Sequence, residues 1–198
     1  MRILIVDCAR MKAENLALLV EYGEWYSSLY IGDAEKDLAD FAPYLFVMPE
    51  GSPLEKHFNE HGIGKAWGIM AESNLPAEEV KKHFRQFLKV KMESGDTMYF
   101  RFYDPRVLRI FLPTCNTEQL STFFGRIRSF YTEEPNNPEL IMHWWTEGGN
   151  LKSELQARSQ VFDPQTATAN ASTSSSPAAA TSVAGSSKPK HSGNSWID

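Results

Sequence analysis

Short apolar runs alternate with amphipathic segments over residues 1–80. Runs of this length, rich in apolar and aromatic residues, are typical of strands buried in a sheet. Helical spacing of the apolar residues instead predicts an amphipathic helix over residues 11–22, which stops at Gly23. The runs that predict strands are RILIV (2–6), WYSSLY (25–30), YLFVM (44–48) and AWGIMAE (66–72).

Polar caps mark the starts of the helices between these strands. Asp33 precedes a predicted helix over residues 34–42. Ser52 and Glu55 have the spacing of a capping box, with proline at the first helical position. Pro76 begins the helix that follows the fourth strand. Alternating strands and helices predict a sheet covered by helices.

A β-hairpin is predicted around the turn residues ESGD (93–96). Its arms are LKVKM (88–92) and TMYFRFY (97–103). Strand alternation places Arg101 among tyrosines, on the more polar face of the second arm. The two predicted faces of that arm are Met98, Phe100 and Phe102, and Tyr99, Arg101 and Tyr103.

Asp104 and Pro105 follow the hairpin with the signature of a helix start. Aspartate is a favoured cap, and proline fits the first helical position. A half-buried arginine needs a carboxylate partner, so Asp104 is expected to pair with Arg101 or Arg106. The charged segment is therefore predicted to be a strand-to-helix joint and not a catalytic centre.

Beyond this joint, the pattern predicts one more helix and two more strands. Asn116 caps a predicted helix that closes at Gly125, and IRSFYTE (127–133) and LIMHWWTE (140–147) resemble strands. From Pro164 the chain is rich in Ser, Thr and Ala, which predicts a disordered tail.

These elements predict an α+β fold: a mixed β-sheet flanked by helices, with a helical C-terminal half and a disordered C-terminal tail. The predicted domain core covers residues 1–131. Residues 132–163 form a C-terminal extension of the same domain, and residues 164–198 the tail.

Charge is segregated along the chain, whose net charge is −5. Residues 1–80 carry 14 acidic and 6 basic side chains, whereas residues 81–130 carry 10 basic and 4 acidic ones. Such a separation suits the steering of charged partners. The candidate partner-binding residues of the basic part are Lys81, Lys82, Arg85, Arg106, Arg109 and Arg128.

The N-terminal apolar run is too short for a signal peptide, and no run approaches the roughly 20 apolar residues of a membrane span. Cys8 and Cys115 do not make a disulfide framework and are expected to be reduced. The sequence therefore predicts a cytoplasmic protein without a membrane partner.

Two alternative functions have sequence support. His57, Glu60 and His61 have the H-x-x-E-H order of a zinc hydrolase, with both histidines on one helix face. No third ligand is evident, and the helix ends at once in Gly62. The basic stretch with interleaved aromatic residues suits nucleic-acid binding, but its aromatics fall at core spacing and the chain is acidic overall.

An ordered set of segments runs through residues 2–131: WYSSLYIG, SPLEKHF, GKAWGIM, LKVKMESGDTMYFRFYDPRVLRIFLPT and TEQLSTFFG. Together they resemble the type VI secretion effector adaptor family, also called Tap or Tec chaperones. The most recognisable part is FRFYDPRVL, followed by FLPT and FFG. Residues 132–163 match this family more loosely.

The resemblance implies a non-enzymatic adaptor without cofactors. Family members bind a cognate toxin, here expected through its N-terminal region, and help load it onto the VgrG spike. The resemblance implies neither nucleic acid nor membrane as a partner. The motif residues carried over, in structural or partner-binding roles, are Arg101, Phe102, Tyr103, Asp104, Pro105, Arg106 and Leu108.

Overall fold

The structure, a computed structural model, describes residues 1–31, 41–91 and 95–163. Residues 34–40 of the helix predicted at 34–42, the first two residues of the ESGD turn and the predicted disordered tail lie outside these residues. The described strands are β1 Arg2–Asp7, β2 Tyr26–Ser28, β3 Pro43–Val47, β4 Gly68–Ser73, β5 Lys89–Lys91, β6 Thr97–Tyr99, β7 Ile127–Glu133, β8 Leu140–Glu147 and β9 Asn150–Ala157. The described α-helices are α1 Ala13–Tyr22, α2 Pro53–His61, α3 Ala77–Arg85, α4 Pro105–Phe111, α5 Thr117–Phe124 and α6 Arg158–Phe162.

Seven strands form the main sheet in the order β2-β3-β1-β4-β7-β8-β9, and β5 pairs with β6 in a separate hairpin. Each neighbouring pair among the described strands is antiparallel. The prediction of a sheet flanked by helices is confirmed. The prediction that the sheet is mixed is wrong. The strands β3 and β4 run parallel to each other, but β1 lies between them and pairs antiparallel with both.

Helices cover the main sheet on both faces, which explains the continuous apolar run of β1. Ile3 and Ile5 point into a core shared with α3, α4 and α5. Leu4 and Val6 point the opposite way, into a core shared with α1, α2 and α6. We call these two sides of the sheet the α3 face and the α1 face. All four side chains are fully buried, so β1 lacks the polar alternation of a solvent-facing strand.

The predicted caps begin α2 and α5. Asn116 and Gln119 form a complete capping box, with hydrogen bonds of 2.8 and 2.9 Å. At α2, the hydroxyl of Ser52 accepts from the Glu55 N–H at 3.2 Å. The Glu55 carboxylate instead accepts from the Gly51 N–H and pairs with Arg2 of β1. Only half of the predicted box therefore forms at α2, because Glu55 is used to hold this helix on the sheet.

The prediction of a helical C-terminal half is wrong. After α5, the chain forms the three strands β7, β8 and β9, and the boundary predicted at residue 131 falls inside β7. Within the described residues, only the short α6 follows, with Val161 and Phe162 buried in the core of the α1 face. The strand β9 was missed because its residues are mostly polar and exposed at the edge of the sheet.

Gly68 allows β1 and β4 to approach closely. A Cβ at this position would lie 2.1 Å from the backbone oxygen of Ile5. We expect Gly68→Ala to lower the free energy of unfolding by about 3 kcal/mol, because two buried strands would have to separate. Chemical denaturation measures this loss. Gly51→Ala adds the same methyl group in open space at a φ of 72° and should cost only about 1 kcal/mol. Equal losses in the two variants would contradict the close approach.

Candidate functional site

The segment between β6 and α4 brings the motif residues together as a turn. Strand pairing ends at Tyr99, except that the Phe100 N–H still donates to the Leu88 carbonyl at 2.9 Å. Phe102 and Tyr103 are then both buried, so the predicted alternation of faces is wrong here. A turn, closed by the Asp104 N–H donating to the Arg101 carbonyl at 3.0 Å, sends both rings inward.

The Phe102 ring lies in the aromatic core beneath this turn. It stacks on Phe84 of α3, with ring centroids 5.3 Å apart, and meets the edge of Phe123 of α5 at 5.9 Å. Pro105 and Leu108 are buried in the same region at the start of α4. Four of the motif residues, Phe102, Tyr103, Pro105 and Leu108, therefore anchor the turn by packing.

Asp104 caps α4, as the sequence predicts. Its Oδ1 accepts from the Arg106 N–H at 3.0 Å and from Arg106 Nε at 2.9 Å, while Arg106 Nη2 donates to Oδ2 at 2.5 Å. Burial alone would raise the pKa of Asp104, but the hydrogen bonds from Arg106 outweigh it and hold this pKa below its usual range. The carboxylate is therefore charged, and both of its oxygens accept hydrogen bonds from Arg106.

Arg101 finds its main partner in Asp7, which sequence reasoning did not single out. Asp7 is the last residue of β1, is 1% exposed and accepts a charge-assisted hydrogen bond from Arg101 Nη2. Its Oδ1 also accepts from the Ala9 N–H at 3.2 Å. Arg101 Nη2 lies 4.0 Å from Asp104 Oδ2, so the second predicted pairing is looser. An acid directly after a buried apolar strand is the sequence signal that could have indicated Asp7.

Two tyrosines complete the surroundings of this ion pair. The hydroxyls of Tyr30 and Tyr103 hydrogen-bond to each other, and burial raises the pKa of both. Burial likewise raises the pKa of Asp7, although Arg101 opposes that shift. None of these groups is activated as a nucleophile at neutral pH. What reaches the surface is a pair of guanidinium groups, with the Arg101 side chain 42% and the Arg106 side chain 48% exposed.

We call the buried carboxylates Asp7 and Asp104 with the guanidinium groups of Arg101 and Arg106 the arginine pair site. Each arginine is held in place by a buried carboxylate and keeps donors directed towards solvent. Guanidinium donors suit carboxylate or carbonyl groups of a partner. The geometry therefore fits recognition of an acidic or extended polypeptide segment.

Comparison with known proteins identifies the family to which this chain belongs. The family described as domain of unknown function (DUF4123) matches residues 4–122, more than half of the chain. The chain belongs to the DUF4123 family. This family is known as a type VI secretion effector-associated domain. No curated protein and no solved structure matches the chain.

The DUF4123 match covers the arginine pair site completely, from Asp7 to Arg106. It ends within α5, so β7, β8 and β9 lie beyond it. The family assignment thus rests on the part of the chain that carries the motif.

The basic residues predicted to bind partners do not form one patch. Lys81, Lys82 and Arg85 lie on α3, where Lys81 Nζ donates to Ser27 of β2 at 2.6 Å. Arg128 Nη2 instead contacts Glu72 Oε2 at 3.1 Å. Glu72 is two residues from Met70 on β4, so both side chains point to the α1 face. Arg128 therefore lies on the side of the sheet opposite to α3.

Arg109 also forms a hydrogen bond within the protein. Its Nη1 donates to the backbone carbonyl of Glu133 at 2.8 Å, which joins α4 to the end of β7. The Glu133 carboxylate accepts from the N–H groups of Gly64 and Ala66, at 2.8 and 3.2 Å. Among the basic candidates, the side chains of Lys82 and Arg85 form neither an ion pair nor a hydrogen bond within the described part of the chain, so they are the best placed to meet a partner.

The residues proposed for zinc lie on α2 as predicted. The His57 and His61 rings are 4.6 Å apart, but Glu60 and His61 are exposed, and burial lowers the pKa of His57. Among residues 1–31, 41–91 and 95–163, no group of three His, Cys, Asp or Glu side chains is placed to hold a metal ion.

The remaining reactive side chains give no sign of a catalytic centre in the described residues. Burial raises the pKa of the Cys115 thiol to about 12, so this thiol stays protonated. A groove of about 390 Å³ near the start of β1 is lined by residues that include Arg2, Glu72 and Arg128. None of the described helices is long and apolar enough to span a bilayer.

The cap and the ion pair of Asp104 can be separated by two substitutions. Asp104→Ala removes both and should lower the free energy of unfolding by about 2 kcal/mol. Asp104→Asn keeps a side-chain acceptor for the Arg106 N–H but loses the charge, so it should cost about half as much. Chemical denaturation at neutral pH measures both values. An unchanged denaturation midpoint for Asp104→Ala would contradict the role of Asp104 as the cap of α4 and the partner of Arg106.

Arg101 should matter most when Asp7 is charged. Arg101→Met leaves the buried Asp7 carboxylate without its cation and should cost about 3 kcal/mol at neutral pH. Burial raises the folded-state pKa of Asp7 above its unfolded value, so the cost should shrink as the pH falls through the folded pKa and Asp7 takes up a proton.

A double mutant is the control for this pH dependence. In an Asp7→Asn background no carboxylate remains to titrate, so adding Arg101→Met should cost less and should not vary over the same pH range. Denaturation curves across acidic and neutral pH provide the comparison. A loss that is the same in both backgrounds would show that Arg101 acts independently of Asp7.

Proposed function

We propose that this chain is a non-enzymatic adaptor that binds a cognate type VI secretion toxin and helps load it onto the VgrG spike. The observation that carries the proposal is the DUF4123 match over residues 4–122, since this family is associated with type VI secretion effector adaptors. The arginine pair site lies within that match and suits binding to another polypeptide.

The chemistry of the site supports a binding role over catalysis. Asp7 and Asp104 are each occupied by an arginine, and the neighbouring tyrosines have raised pKa values. A general base or nucleophile needs an accessible group whose pKa is tuned towards neutrality. The motif instead uses its charges to present two guanidinium groups on a fixed turn.

The outer side of α3 extends the surface that we propose for the toxin. Lys82 is exposed and Arg85 half-buried on this helix, whose inner side packs through Val80 and Phe84. Arg101 lies over the same face of the sheet, because Phe102 beside it packs against Phe84. Basic side chains near the arginine pair site would steer an acidic toxin segment, here taken as part of its N-terminal region.

Co-expression tests the adaptor role. The full chain, produced with a type VI toxin encoded beside it, should co-purify with that toxin and keep its N-terminal region soluble. The same complex should capture VgrG. Failure to co-purify with either the toxin or VgrG would defeat the proposal. Purified complex would then allow the contact surface to be tested.

Charge reversal on α3 tests the surface separately from the role. Lys82→Glu with Arg85→Glu should slow association with the toxin about tenfold and reduce its salt dependence, because charges at an interface rim act mainly on the association rate. Lys12→Glu with Lys56→Glu makes the same charge change at exposed positions beside α1 and on α2. Kinetic binding measurements should show little effect for this control. If both pairs act alike, the toxin does not meet α3.

A further inference from the structure

The strand β9 forms a long edge of the main sheet. It contains eight residues, whereas β2 at the opposite edge contains three. An edge strand presents unpaired backbone donors and acceptors, and proteins usually keep such strands short or cover them. The length of β9 therefore favours its pairing with a further strand.

Pairing with β8 determines which backbone groups of β9 point outward. The two strands are joined by Gly148 and Gly149, both at positive φ, and Glu147 pairs with Asn150. A two-residue hairpin of this kind makes its first pair a hydrogen-bonded one. Backbone groups of Asn150 and every second residue after it therefore point to β8, and those of the residues between point outward.

The end of β9 agrees with this assignment. The N–H of Ala157 points away from β8 and donates to the Gln160 side chain at 3.2 Å, whereas the N–H of Arg158 donates back to the Glu139 carbonyl at 2.8 Å. Three residues consequently direct both their N–H and their C=O to the open edge: Leu151, Ser153 and Leu155. Within the described residues, these backbone groups have no hydrogen-bond partner.

The sequence of β9 is complementary to itself about Ser153. When a second copy runs antiparallel, with Ser153 opposite Ser153, Leu151 lies opposite Leu155 and Lys152 lies opposite Glu154. Asn150 then faces Gln156, so two amides meet. Each outward-facing residue is opposite another outward-facing residue, as an antiparallel ladder requires.

We propose that two copies of this chain pair through β9, antiparallel about a twofold axis at Ser153, and so join their main sheets. The pairing forms about six main-chain hydrogen bonds, two for each of three opposed pairs. A twofold axis also makes every side-chain contact occur twice, which is the usual arrangement of a homodimer.

Side-chain chemistry on the two faces supports this register. Leu151 packs against the core of the α3 face, and Leu155, which is 51% exposed, lies on that face and would meet Leu151 of the second copy. On the α1 face, the Glu154 carboxylate is held by Gln156 Nε2 at 2.6 Å and by His143 Nδ1 at 3.2 Å. Lys152 is exposed on the same face, in position to reach that carboxylate in the second copy.

Neighbouring registers are less favourable. Moving the twofold axis by one residue places Lys152 opposite Lys152, or Glu154 opposite Glu154. Like charges directly opposite each other destabilise a strand pair, whereas opposite charges stabilise it. Charge therefore selects the register centred on Ser153.

Sedimentation velocity of the purified full chain over a wide concentration range tests the dimer. We expect a monomer at high dilution and a dimer as concentration rises. Ser153→Pro removes the central outward N–H and should weaken dimerisation at least about tenfold, without disturbing the ladder to β8. Ser153→Ala keeps that N–H and should dimerise like the parent. A chain that stays monomeric up to millimolar concentration, or a dimer equally strong in both variants, overturns the proposal.

Charge exchange tests the register without relying on proline. Lys152→Glu alone and Glu154→Lys alone each oppose like charges twice in a homodimer, so each should weaken dimerisation about tenfold. An equimolar mixture of the two variants opposes unlike charges and should form a heterodimer about as strong as the parent. If the mixture dimerises no more strongly than either variant alone, the proposed register is wrong. A monomeric parent whose toxin binding is lost on Ser153→Pro would assign the β9 edge to the toxin and overturn self-pairing.

Discussion

Burial of β1 on both faces is the constraint on which the motif depends. A strand in this position ends inside the protein, and its last side chain, Asp7, cannot reach bulk water. A buried carboxylate needs a cation and hydrogen bonds. Arg101 supplies the cation, and this pairing holds the turn between the β5–β6 hairpin and α4 against the end of β1. The cap at Asp104 and the packing of Phe102 follow from the position of that turn.

The same arrangement explains how charged residues can serve both folding and recognition. Each buried carboxylate accepts hydrogen bonds from some N–H donors of a guanidinium group, and the other donors of that group face solvent. The arginines are therefore held in place before any partner arrives, which reduces the entropy lost on binding. A lysine at either position would lack the planar set of donors that serves both sides at once.

Sequence patterns predicted the local features of this protein better than its long-range ones. The apolar runs and the caps at Asp104 and Asn116 depend on neighbouring residues, and the structure contains them. Asp7 and Arg101 are 94 residues apart, so no local pattern links them. Alternation failed at Phe102 and Tyr103 because tertiary packing turned the chain there. The strand β9 escaped detection because an edge strand carries few apolar residues.

The order of strands in the main sheet shows that the folding unit extends beyond the residues matched by the family. Residues 4–122 carry the family match, but β4, inside that range, pairs with β7 outside it. A fragment cut at residue 122 would expose a strand edge and lose Phe130 from the aromatic core. Protein engineers who transplant or shorten this module should therefore take the last described helix, not the last recognisable residue, as the point at which to cut.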